Sequence, residues 1–267
     1  MKASQPAGTN GGATGGMVIV GALGTIGRPL AAAIARQQSQ LLIVDVDSAQ
    51  INSLEESLRF LGGPQIYSMT LNPSERDPGL ELVNYLVHHE ISFNHLVNAA
   101  YPGKQLLSNR PGGLGEQQSW GKFVGEHVGF FLSLSTHFAE YAARSGGGSI
   151  TNLSSMYGRM SPKFRIYEET GLSLPIEYGA AKAGVENLSQ YLASRYLAKG
   201  VRVNCVAPGG ILADQPQLFQ ENYGRETGRG ALLKSEEIIG AILLLLSPAG
   251  RAITGQTITV DDGFSLT

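Results

Sequence analysis

Short β-branched runs alternate with longer stretches of helical period along most of the chain. The runs are Met17–Gly21, Leu41–Val46, Gln65–Leu71, Phe93–Ala100, Gly148–Ser155, Val201–Pro208 and Gln256–Gly263. Between them, Ile26–Gln38, Ser48–Leu61, Gly79–Glu90, Trp120–Arg144, Glu177–Lys199 and Ser235–Leu246 carry the spacing of helices. Continuously apolar strands separated by helices predict a parallel sheet covered on both faces. Seven strands in one alternation predict a single doubly wound α/β domain over 17–267, with right-handed crossovers. Met1–Gly16 is small, polar and Gly-rich, and is expected to be a disordered arm. Met156–Pro175 and Gly209–Gly230 break the rhythm. Both follow strand ends, where open α/β sheets bind ligands.

Composition narrows the class. The 20 Lys and Arg against 22 Asp and Glu leave no electrostatic footprint for nucleic acid or an anionic membrane. The longest apolar run, Ile238–Leu246, is far below the roughly 18 residues of a membrane span. No cleavable leader is expected, because the N-terminus lacks an apolar central segment. A single cysteine, Cys205, excludes an internal disulfide framework and points to a reducing, cytoplasmic setting. No metal-ligating set is expected. Glycine is the outlier, at 35 of 267 residues against about 7% in ordinary chains.

Three of those glycines, Gly21, Gly24 and Gly27, fall where the first strand turns into the first helix. Such a turn admits close approach of a pyrophosphate, and the helix N-terminus offers free N–H groups and a positive dipole end. Asp45, near the end of the second strand, lies 18 positions after Gly27. A carboxylate there can bind adenosine ribose hydroxyls and repel a 2′-phosphate, which favours NAD over NADP; capping of the next helix falls more naturally to Asp47 or Ser48. Downstream, Tyr178 and Lys182 share one face of a helix. An ammonium beside a phenol is expected to lower the phenol pKa and make Tyr178 a proton acceptor or donor. The strand before them ends in Ser154 and Ser155, where a hydroxyl either caps a turn or holds a substrate oxygen.

The order of these features (glycine turn, Asp45, Asn98-Ala99-Ala100, strand-end serine, YxxxK, Pro208-Gly209-Gly210) resembles the short-chain dehydrogenase/reductase family from Met17 to Thr267. The resemblance implies a Rossmann-like fold and hydride transfer between a nicotinamide and a secondary alcohol or ketone. It implies that Ser155 orients substrate, Tyr178 is the general acid/base, and Lys182 lowers its pKa and holds the nicotinamide ribose. Gly21, Gly24, Thr25, Ile26, Gly27 and Asp45 would hold the coenzyme from one side. Asn98, Ala99 and Ala100, with Pro208, Gly209 and Ile211, would hold it from the other. Members of the family are commonly homodimers or homotetramers.

Three departures are informative. The family's relay Asn position carries Glu126, with His127 beside it, so His127 is a candidate relay or substrate group that could equally pack in the helix interface. Asn72 follows the third strand, where the family often has an adenine-contacting Asp. Ser155 and Tyr178 stand 23 apart, against about a dozen in the family, and the excess falls in Met156–Pro175. That insert, with VNAAYP, PIEYGAAK and the VDDGFSL end, is similar to a subgroup of bacterial flagellin-modification oxidoreductases, which implies a sugar or sugar derivative as substrate. Lys163 and Arg165, with Arg159, are expected either to bind an anionic group on it or to pair with Glu168 and Glu169. Tyr157 and Tyr167 either stack on a sugar or anchor the loop. Two other readings compete: a non-catalytic dinucleotide-sensing or scaffold protein, and a sugar-nucleotide epimerase or dehydratase. The 59 residues after Pro208 are few for the substrate domain of the latter.

Overall fold

The computed structural model describes residues 15–37, 40–61, 65–72, 77–102 and 117–267, with side chains from 120 onward in the last stretch. Residues 1–14 of the expected N-terminal arm lie outside them. All seven runs form strands: β1 Gly16–Val20, β2 Leu41–Asp45, β3 Ile66–Thr70, β4 Phe93–Asn98, β5 Gly148–Leu153, β6 Val201–Pro208 and β7 Thr257–Val260. They build one sheet in the order β3-β2-β1-β4-β5-β6-β7, parallel throughout. The chain leaves β1 toward β3 and returns to β4 on the other side of β1. The crevice between β1 and β4 is therefore the topological switch point, where such sheets bind ligands.

The described helices are α1 Gly27–Arg36, α2 Ser48–Arg59, α3 Pro78–His88, α4 Gln117–Arg144, α5 Ile176–Tyr196, α6 Gln217–Gly224 and α7 Glu236–Leu246. Asp47 caps α2, accepting from Gln50 N at 3.0 Å, and Asp77 caps α3 by the same chemistry. Alternation along β1 assigns the two cores. Val18 and Val20 face α3, α4 and α5, packing with Leu86, Phe131 and Phe138. Met17 and Ile19 face α1, α2 and α7, packing with Ile34, Leu54 and Ile242. The apolar run in α7 is largely core: Ile238, Ile239, Ile242, Leu245 and Leu246 are buried.

A short polar chain threads the α4–α5 side. Ser135 donates to Asn152 Oδ1 at 3.1 Å, and Asn152 donates to Ser189 Oγ at 2.9 Å. Ser189 lies 3.2 Å from the thiol of Cys205, which burial pushes up to about 12. These bonds tie α4, β5, α5 and β6 into one block beneath the C-terminal strand ends.

Candidate active site

The strand ends open onto a cleft of about 1310 Å³. The glycine turn forms one wall. Gly21 has φ +86°, and a Cβ there would lie 2.5 Å from Ala100 N; a Cβ on Gly27 would lie 2.1 Å from Gly21 O. Both residues must be glycine because the chain packs on itself, and Gly27 sits behind the lining. Gly24, Thr25 and Ile26 face the cleft. The N-terminus of α1 has no side-chain cap and no acidic residue in its first turn. Uncapped N–H groups and a positive dipole end facing a cleft fit a pyrophosphate.

Asp45 lines the same wall, accepting from Leu23 N and from Val46 N at 2.8 Å each. It braces the turn and still presents carboxylate lone pairs to the cleft. Ala99, Ala100, Pro208, Gly209 and Ile211 line the opposite side. Asn98 is fully buried behind them, and among the described residues its amide has no hydrogen-bond partner.

Ser155, Tyr178 and Lys182 converge in the cleft. Ser155 caps a 3-10 turn, accepting from Tyr157 N at 3.2 Å, and its side chain stands close enough to the Tyr178 phenol to favour the phenolate. Ser154 is held differently, its hydroxyl 2.8 Å from Glu186 Oε1 and 3.2 Å from the Lys182 carbonyl. Lys182 is 5% exposed and donates to Leu153 O at 2.9 Å. Its amine lies over the rings of Phe131 (5.2 Å), Tyr101 (5.6 Å) and Tyr178 (5.9 Å). Burial pushes Lys182 down to about 7. Burial also pushes the Tyr178 phenol up, against a smaller opposing pull from the Ser155 side chain. The net direction is upward, with burial the larger cause. The amine is held by a backbone carbonyl and is itself poorly solvated, so desolvation of the phenol wins.

Residues 21–265 match the family described as enoyl-(acyl carrier protein) reductase. The chain belongs to the short-chain dehydrogenase/reductase family. It is similar to post-translational flagellin modification protein A of Campylobacter coli, 29% identical over 262 residues, covering 93% of this chain and 97% of that one. A 3-oxoacyl-[acyl-carrier-protein] reductase of Thermotoga maritima is 28% identical over 251 residues, covering 92% and 96%. Among solved structures, a short-chain dehydrogenase from Leptospira borgpetersenii with bound NAD+ superposes with TM-score 0.80, at 23% identity and 99% coverage of both chains. A gluconate 5-dehydrogenase from Burkholderia cenocepacia, in complex with NADP and tartrate, gives 0.82 at 20% identity, covering 94% and 95%. At those identities the structures speak to fold alone.

Within this dehydrogenase/reductase the departures separate cleanly. Glu126 is exposed and lines the cleft, 3.9 Å from Lys122. His127 points inward and does not line it. Leu71 and Asn72 line the wall below Asp45.

The insert folds into two 3-10 turns, Met156–Gly158 and Phe164–Tyr167. Met156 and Ile166 form a third core with Phe219 and Tyr223 of α6, Leu232 and Phe264. Lys163 and Arg165 do not reach the cleft, which corrects their expected role in holding an anionic substrate. Lys163 donates to Glu226 Oε2 at 3.0 Å and Phe264 O at 2.8 Å, and to Thr267 Oγ1. Arg165 grips the same carboxylate through two nitrogens, at 2.8 and 2.6 Å. Glu226, and neither Glu168 nor Glu169, is the partner, and the two cations hold it down to about 2. Tyr157 and Tyr167 line the cleft and hydrogen-bond each other at 3.0 Å, so they anchor the loop as well.

Sequence reading missed Tyr101, Gln215, Phe219 and Tyr223, all of which line the cleft. Phe219 and Tyr223 stand four apart, a spacing that would have given α6 inside the 209–230 stretch. Tyr223 Oη accepts from Gly210 N at 2.6 Å, so α6 fixes the segment after β6. Nothing in the sequence pairs Glu226 with Lys163.

Proposed function

We propose that the chain is an NAD-dependent oxidoreductase interconverting a secondary alcohol and a ketone on a sugar or sugar derivative. The observation that carries this reading is the convergence of Ser155, Tyr178 and Lys182 in one cleft that also receives the uncapped end of α1 and Asp45. Bound NAD supplies the hydride acceptor or donor. Ser155 Oγ holds the substrate oxygen, and Tyr178 Oη takes the proton from an alcohol or gives it to a ketone. Lys182, fixed on Leu153 O, keeps a donor-rich group beneath the ring of Tyr178.

Asp45 supports NAD over NADP, since its carboxylate would repel a 2′-phosphate. The flagellin-modification relative of Campylobacter coli supports the sugar. Assembly as a homodimer or homotetramer follows the family and is read by light scattering. The single buried thiol fits a cytoplasmic setting, and no helix of the described residues is long and apolar enough to cross a membrane.

The test is NADH formation across a panel of sugars, sugar phosphates and polyols, with Tyr178→Phe beside the native chain. Activity should fall by about 10²–10⁴ in the variant while NADH binding persists. Turnover that survives the substitution removes Tyr178 from the mechanism. NADH binding with silence across the panel supports the sensing reading instead.

A further inference from the structure

The insert brings a phenol into the cleft beside Tyr178 and fixes it at three points. Tyr157 N donates to Ser155 Oγ at 3.2 Å. Its carbonyl meets α5 at the residue after Tyr178: a Cβ on Gly179 would lie 2.8 Å from Tyr157 O. A Cβ on Gly158 would lie 3.0 Å from Ala183 N. The turn after Ser155 and the first turns of α5 therefore pack backbone on backbone, which is why glycine stands in each. At the tip, Tyr157 Oη accepts from Tyr167 Oη at 3.0 Å, and the Tyr167 ring packs on Phe219 at 5.4 Å.

Counting donors gives the pair its chemistry. Two hydroxyls joined by one hydrogen bond carry two protons and use one. With Tyr167 donating, the Tyr157 proton is left over, and neither hydroxyl has another partner among the described residues. Burial pushes both phenols up, so both keep their protons at working pH. A hydroxyl that accepts one hydrogen bond becomes a stronger donor of the next. Neighbouring polar groups are spent. Tyr223 Oη accepts from Gly210 N at 2.6 Å. The Gln215 amide donates to Ile211 O at 2.7 Å and accepts from Ala213 N at 2.8 Å. Met156, Leu174, Phe219 and Leu232 make the surrounding lining apolar. Tyr157 thus presents one directional donor from an apolar surface.

We propose that Tyr157, backed by Tyr167, is a specificity-determining residue: its hydroxyl donates to a second oxygen of the substrate, on a carbon other than the one that exchanges hydride. A substrate with two or more oxygens satisfies this donor. A mono-alcohol of the same shape leaves it unpaired against apolar side chains and is rejected. The inference rests on the dehydrogenase reading of the cleft and deepens it, because it names the atom that selects a polyol or sugar over a simple alcohol.

The probes are cyclohexanol and the cyclohexanediols, which share a ring and differ by one hydroxyl, each offered with NAD+. One readout is kcat/KM from NADH formation, taken as the ratio of diol to mono-alcohol. The native chain should favour its best diol by at least about tenfold, and Tyr157→Phe should lower that ratio about 10- to 100-fold. Tyr167→Phe removes only the backing bond and should lower it about threefold. Equal losses on both probes would leave the ratio standing, mark a structural role and overturn the proposal. The other readout is NMR of tyrosine labelled with carbon-13 at the hydroxyl-bearing carbon, with the Tyr157 signal assigned from its loss in Tyr157→Phe. In the NAD+ complex this signal should shift with a diol and stay in place with cyclohexanol. A diol-dependent shift without NADH formation would remove the oxidoreductase reading and keep the subsite. An unmoved Tyr157 signal overturns the proposal whether or not NADH forms. Should Tyr157→Phe fail to fold, the signal is assigned from its displacement in Tyr167→Phe, and the shift in the native chain decides.

Discussion

The two walls of the cleft are built by different means. The wall proposed to face the coenzyme is largely backbone: the turn at Gly21–Gly27 and the uncapped end of α1, with one carboxylate on strand β2. Its parts are close in sequence and already fixed by the sheet. The wall proposed to face substrate is held by side chains from distant places. Glu226 gathers Lys163 and Arg165 across 63 and 61 positions, and Lys163 reaches Phe264 across 101. A wall made by the sheet can fail only with the sheet. A wall made by ion pairs and a satellite core can loosen alone.

That contrast can be broken at either wall. The largest effect should come from Gly21→Val, where a Cβ would press into Ala100 N from a backbone at φ +86°. A cost of about 3 kcal/mol or more is expected, with NADH affinity down about 100-fold; titration of NADH fluorescence and a melting curve check both. Stability loss without loss of affinity would mean the turn does not shape the coenzyme wall.

Next is Glu226→Gln, which leaves two cations sharing a neutral amide. We expect about 1–3 kcal/mol of destabilisation, faster proteolysis within 156–175, a KM for substrate raised about tenfold, and an unchanged NADH Kd. A parallel loss of NADH binding would show that the walls are coupled.

Acid should separate them without mutation. The Glu226 carboxyl sits at about 2 in the fold against an ordinary 4.5, because Arg165 and Lys163 hydrogen-bond its charged form. Its contribution is complete above 4.5 and is lost as pH falls toward 2. Hydrogen exchange should therefore quicken in the insert before it quickens in β1 and β4. Simultaneous loss would refute independent walls.

The smallest effect is Asp45→Asn. The amide keeps an acceptor for Leu23 N but no longer repels a 2′-phosphate, so NAD preference over NADP should narrow about tenfold. An unmoved preference would assign discrimination elsewhere.

The same division explains what could be read beforehand. Period and run length revealed the seven strands because short β-branched runs alternate with helical spacing and the five central strands are buried on both faces, and Gly21, Asp45, Ser155, Tyr178 and Lys182 stood at the right strand ends or helix turns. Their roles stay with the proposal; their convergence in one cleft is observed. The substrate wall resisted because its ties have no local signature. Lys163 and Arg165 read as free cations, since the carboxylate that neutralises them is on another loop. The Tyr178 pKa is illegible for a related reason: spacing reveals the nearby ammonium but not the burial that pushes the phenol up. Glu126 and His127 are adjacent in sequence, and only the helix phase shows that one meets the cleft and the other the core.

Cys205 has a practical consequence. Its thiol, enclosed beside Ser189 and far from thiolate formation at neutral pH, should ignore alkylating reagents while the protein is folded. The chain is thus a natural blank for site-directed labelling. A cysteine introduced at exposed Phe164 would carry the only reactive sulfur, and a fluorophore there would report the motion of the substrate wall with no background to subtract.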